Sequence, residues 1–201
     1  MANASERARA MPSSAADRIT QAESYKVEGN LLYKQKEYKK AIGKYHRALL
    51  FLKGLQDNAQ MKAMRSVLLS VNEPSIEDGL TNDIKDKIKN IEIGCYNNLS
   101  VCLLQDDQPN YDRIAEYSMN VIKLDSKNVK AYYRQGLAYY HKRNFTSSLE
   151  SFHQAKRHSK DTVDPSIKKY ISKCETELAN QDEKTKAMYK SMFSNGSAGG
   201  S

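Results

Sequence analysis

Five side chains of this 201-residue sequence stand out by type and spacing: Lys26, Asn30, Asn98, Lys130 and Arg134. Lys26 and Asn30 lie four apart, and so do Lys130 and Arg134. On a helix each pair points one way. Ammonium, guanidinium and amide groups are hydrogen-bond donors, and the first two carry charge. Grouped, they suit an anionic ligand. Enzyme chemistry has no comparable set. His46, His141, His153 and His158 accompany no serine or cysteine in a nucleophile setting, and no glycine-rich phosphate loop is present. His153 and His158 are five apart, poor spacing for one metal-binding helix face. Cys95, Cys102 and Cys174 are scattered, odd in number and without CxxC spacing. They read as buried apolar thiols in a reducing cytosol, with no disulfide, metal or cofactor expected.

Composition narrows the rest. The apolar fraction is 39%, enough for a core, and the 13 Tyr and 4 Phe, with no Trp, suit half-exposed packing surfaces. The net charge of +8 favours an acidic partner. The lysines are mixed with acids along every helix and no nucleic-acid reader motif occurs, which argues against nucleic acid. No apolar run nears the ~20 residues that span a bilayer. The N-terminus has no apolar signal core, so the expected location is cytoplasmic.

The elements that must position the five residues come from an internal period. In AESYKVEGNLLYKQKEYKKAIGKYHRALLFLKGL, take Gly29 as the eighth place of a 34-residue unit. Tyr25, Leu32, Tyr38, Ala41, Tyr45 and Ala48 then fall at places 4, 11, 17, 20, 24 and 27. Tyr132, Gly136, Tyr139, Phe145, Ser148, Phe152 and Ala155 repeat those places, with Gly136 again eighth. Between them, Tyr96, Leu99, Ser100 and Leu103, then Tyr111, Ile114, Tyr117, Ser118, Val121 and Leu124, give a looser match. This pattern of small and large residues resembles the tetratricopeptide repeat, in which two antiparallel helices pack closely. The resemblance implies an all-α right-handed superhelix of three helix pairs, at about 22–55, 93–128 and 129–162. A helix over 164–193, opened by Asp164-Pro165 and striped by Ile167, Ile171, Cys174 and Leu178, should cap it. Residues 1–18 read as a flexible arm and 194–201 as a flexible tail. The first helix is expected near 19–35. An insertion, 56–92, interrupts the period. Its first part continues helically to about Leu69, Pro74 and Asp78-Gly79 mark a loop, and Thr81, Asn82 or Asp83 starts a helix.

The five donors fall at places that resemble the carboxylate clamp of co-chaperone repeat domains. Lys26 and Asn30 match on the first helix, Asn98 on the second unit, and Lys130 and Arg134 on the third. The register set by Leu99 and Leu103 selects Asn98; a one-residue slip would select Asn97. The resemblance implies a protein partner: the C-terminal EEVD of heat-shock protein 90 or heat-shock protein 70, whose last residue carries two carboxylates. Arginine offers a carboxylate a fixed fork of N–H groups. The whole chain also resembles the tetratricopeptide repeat protein 9 family, on EGNLLYKQKEYKKAIGKYHRALLFLKGL, CYNNLSVCLLQ, the NYDR turn and the KAMYKSMF end. The expected protein is a monomeric, non-enzymatic adaptor. The alternative is a repeat scaffold that binds another partner segment without chaperone contact. The basic end KTKAMYKSMF is similar to the calmodulin-target-like tail after the repeats of large immunophilins. The plainer reading is a solvated helix end whose aromatics pack on the array.

Overall fold

Ser14 opens the first helix. Its side-chain oxygen accepts the Asp17 amide at 3.1 Å, which satisfies one of the backbone donors left over at a helix start. The computed structural model describes residues 14–69, 82–160 and 162–196. Helix α1 runs Ala15–Lys34, α2 Tyr38–Leu69, α3 Asn82–Leu103, α4 Tyr111–Leu124, α5 Val129–His141, α6 Phe145–His158 and α7 Pro165–Gly196. Among the described residues every regular element is a helix, so the fold is all-α. The expected loop at Pro74 and Asp78-Gly79, the cap at Thr81, and most of both terminal segments lie outside the described residues.

Two boundaries differ from the expected ones. Helix α1 starts before residue 19, because the Ser14 cap and the buried Ile19 and Ala22 draw residues 15–18 into it. Helix α7 continues through Asn195 and Gly196, which were expected in the flexible tail. The insertion lengthens two helices, since α2 runs on to Leu69 and α3 begins at Asn82.

The chain divides into two units, at Pro109 and Asn110. In the first, α1 and α2 form a hairpin and α3 packs on both. Its core holds Ala22, Ala41, Tyr45, Ala48, Leu52, Ile91, Cys95 and Leu99, each at most 1% exposed. Gly29 lets the α1 backbone meet the Tyr45 ring. A Cβ there would stand 2.6 Å from Tyr45 Cε1, closer than any packed carbon tolerates.

In the second unit α4 packs on α5, α5 on α6 and α6 on α7. Asn110, Asn128 and Asn144 cap α4, α5 and α6, each accepting the backbone N–H three residues on. Gly136 lies under the Phe152 ring as Gly29 lies under Tyr45, with 2.8 Å from a Cβ to Phe152 Cε1. Helix α7 covers α6 as a cap. The Tyr170 ring stacks on Phe152 at 5.3 Å, Cys174 Sγ donates to Ser148 Oγ at 3.3 Å, and Ile167 is buried. The far end of α7 does not pack on the repeats. Residues 179–192 are exposed, including Met188, Tyr189 and Met192, which corrects the expectation that these side chains fold back. The apolar stripe of α7 that meets α6 ends near Leu178.

Both hairpins turn alike. Lys36 N–H donates to the Tyr33 carbonyl and Glu37 N–H to Leu32, at 2.9 Å each; Arg143 donates to Tyr140 and Asn144 to Tyr139, also at 2.9 Å. This is the paired closure of a helix end around one left-handed residue. That residue is Lys36 at φ 62° and Arg143 at φ 60°, where glycine would be less strained.

Candidate functional site

Helices α1, α2 and α3 meet at the side chain of Asn30. Its Oδ1 accepts the Tyr45 hydroxyl at 3.0 Å and Asn98 Nδ2 at 2.8 Å. Tyr45 is fully buried, and burial raises its hydroxyl pKa above the ordinary tyrosine value, so it remains a neutral donor. Asn30 and Asn98 are half-buried. Lys26, one turn before Asn30, is half-buried too and lays its aliphatic stem on α3. Its Cδ is 3.4 Å from where a Gly94 Cβ would stand. In the first unit, therefore, Asn98 meets Asn30, and the Lys26 stem lies on α3 one turn before Asn98.

Anions near this group are already engaged. Glu23 pairs with Lys87 Nζ at 2.7 Å, and that hydrogen bond lowers the Glu23 pKa despite some burial. Glu28 pairs with Lys44 at 2.5 Å. Lys44 and Arg47 also lie over the Tyr25 ring, 5.3 and 6.0 Å from its centre, while Phe51 stacks against that ring at 5.5 Å.

In the second unit Lys130 and Arg134 are one turn apart on one face of α5. Lys130 is exposed and Arg134 half-buried. The Tyr132 hydroxyl donates to the Ser126 carbonyl at 3.3 Å, and its ring stacks on His158 at 5.6 Å.

The thiols have the character expected from their scatter. Burial pushes Cys95 up to about 12 and Cys102 up to about 11, and raises Cys174 as well. A thiol so raised is not a thiolate nucleophile or ready ligand. Among the described residues no cluster of three or more His, Cys, Asp or Glu is placed to hold a metal ion. None of the described helices is long and apolar enough to cross a membrane. A cleft of about 390 Å³ in the first unit, lined by Lys36, Glu37, Lys40, Cys102, Asp106 and Asp107, gathers charges of both signs at the hairpin turn. The participation of Tyr45 escaped sequence reasoning. Its place in the repeat marks it as core, and only the position of Asn30 shows what its hydroxyl does.

Paired helices with a glycine under an aromatic ring in each hairpin define a tetratricopeptide-type protein-interaction module. The similarities agree. No protein-family profile matches the chain. Tetratricopeptide repeat protein 9C of Xenopus tropicalis is 34% identical over 175 residues, covering 87% of this chain and 93% of that protein. The chain belongs to the tetratricopeptide repeat protein 9 family. Among solved structures, the C-terminal TPR-containing domain of a Plasmodium falciparum FK506-binding protein superposes with a TM-score of 0.65 at 24% identity. That match covers 85% of this chain and 96% of that domain. The Hsp90 co-chaperone Cns1 of Saccharomyces cerevisiae gives 0.56 at 24% identity, covering 85% of this chain and 44% of that one. At these identities the structural likeness shows the fold.

Proposed function

We propose that the protein is a co-chaperone-like adaptor that binds the C-terminal EEVD peptide of heat-shock protein 90 or heat-shock protein 70. The residues proposed to meet the anionic peptide are Lys26, Asn30, Asn98, Lys130 and Arg134. One observation carries the reading. Asn30 of α1 and Asn98 of α3 meet through a hydrogen bond, with the Lys26 stem lying on α3 beside Gly94, and the Asn30 oxygen is occupied by donors from within the protein. What such a group offers a ligand is N–H, and a carboxylate is an acceptor-only partner. The spacing of Lys130 and Arg134 and the net charge of +8 favour the same class of ligand. The fold likeness to part of a protein named as an Hsp90 co-chaperone favours this choice of partner. Each charge-assisted bond is worth about 1.5–3 kcal/mol, so removing one cation weakens binding by roughly 10- to 100-fold.

The test is a calorimetric titration with the free C-terminal peptides of both chaperones. Binding is expected to vanish when the peptide terminus is amidated, to weaken with added salt, and to fail in the Lys130→Ala/Arg134→Ala protein. Indifference to amidation, or no heat with either peptide, overturns the reading. A pull-down in which the double variant keeps every partner points instead to a scaffold working through another surface.

A further inference from the structure

Asn30 Oδ1 has two lone pairs and both are taken, by Tyr45 Oη–H and by Asn98 Nδ2–H. The arrangement has a direction. Turned over, the Asn30 amide would set its own NH2 against that of Asn98, donor against donor. The Tyr45 side of the arrangement is costly to build without a use. The hydroxyl is fully buried and would be penalised if left unbonded. Packing does not require it. At the matching place of the other hairpin Phe152, also fully buried, fills the space over Gly136 with a bare ring.

We propose that Tyr45 is a positioning residue for peptide binding: its hydroxyl, together with the Asn98 amide, holds Asn30 with its N–H edge presented to the anionic end of the ligand. This deepens the peptide-binding reading and rests on it. Tyr45 itself never touches the ligand. It lies beneath α1, and its effect reaches the peptide only through Asn30. Asn98 gives one N–H to Asn30 and also lies in hydrogen-bond reach of the Tyr45 hydroxyl, so the three side chains form one group.

The experiment compares wild type, Tyr45→Phe, Asn30→Ala and the double variant by calorimetry, using an acidic peptide ending in EEVD with a free carboxylate. Thermal unfolding and the side-chain amide NMR signal of Asn30 in the unliganded protein are recorded alongside. Tyr45→Phe keeps the ring, so the fold is expected to survive. Losing one neutral hydrogen bond should weaken binding by about 2- to 10-fold. In the double variant the hydroxyl should no longer matter, and binding should match Asn30→Ala within about twofold. The Asn30 signal should shift or broaden in Tyr45→Phe. The inference is overturned if the wild type binds and Tyr45→Phe binds as tightly. It is equally overturned if the hydroxyl costs the same with Asn30 absent, since its role would then be general packing. A wild type that ignores the peptide removes the binding reading and this inference together.

Discussion

Glu28 and Lys44 stand in the first hairpin where Gln135 and Ser151 stand in the second. The first pair is an ion pair at 2.5 Å with both side chains partly exposed. The second is a buried neutral bond, Ser151 Oγ to Gln135 Oε1 at 3.2 Å. The pattern continues. Tyr25 stacks on Phe51 and carries two cations, whereas Tyr132 stacks on His158. Tyr45 brings a hydroxyl to Asn30, whereas Phe152 turns only its ring, to Tyr133 and Tyr170. The backbone turns share the same bonds and the same left-handed residue. The difference teaches that the repeat requires only the shape: a glycine, an aromatic ring and a closed turn. Polarity at the remaining contacts is free to vary. In the first hairpin it is committed to a polar group, in the second to an apolar seat for α7.

That contrast can be broken at the rings. Phe152→Ala should cost about 3–5 kcal/mol in chemical denaturation, because it removes a buried ring that α5, α6 and α7 share. Tyr45→Phe should cost only about 1 kcal/mol, the value of one hydrogen bond. Equal losses would show that the hydroxyl carries as much as the ring.

The glycines come next. Gly29→Ala and Gly136→Ala should each lose about 1–3 kcal/mol, since the added carbon would stand well under 3 Å from a ring. Gly29 should lose more, because the hydroxyl bond restrains Tyr45 from moving away. The turns should behave oppositely and alike. Lys36→Gly and Arg143→Gly should each gain up to about 1 kcal/mol by relieving a left-handed side-chain-bearing residue. Thermal melts read both.

Smaller still is the polar exchange. Glu28→Gln with Lys44→Ser, which copies the second hairpin into the first, should change stability by less than about 1 kcal/mol and reduce its salt dependence. Acid response should separate the hairpins as well. His141 stacks on Tyr111 at 4.6 Å, and burial, helped by Lys173, holds it below the ordinary histidine value. The unfolded chain takes up that proton first, so its stabilisation is present above the ordinary histidine range and fades as pH falls through the folded value. Glu23, lowered chiefly by its bond to Lys87, loses its contribution only in the more acidic glutamate range. A pH series of melts should show a step near the histidine range that His141→Phe removes, while Lys87→Met removes the lower one.

Much of this was open to reading in the chain. Gly29 with Tyr45 and Gly136 with Phe152 announce close helix pairs, and Asp164-Pro165 announces the start of the cap. The asparagine caps at 110, 128 and 144 are equally legible, each standing one residue before a helix. Ser14 was hidden in a small polar segment whose composition suggested no structure. Nothing in the spacing of Met188, Tyr189 and Met192 separates a stripe that packs from one left exposed, because that depends on what lies opposite.

Sequence alone determined the helices, the two hairpins marked by Gly29 and Gly136, and the faces on which Lys26, Asn30, Lys130 and Arg134 lie. Those follow from local periodicity, which the backbone imposes at 3.6 residues per turn. Tertiary structure decided which donor meets which acceptor. Tyr45 and Asn98 reach the same oxygen from 15 and 68 residues away. Such a meeting depends on how three helices settle together, and a hydrogen bond tolerates only a few tenths of an ångström of error in that settling.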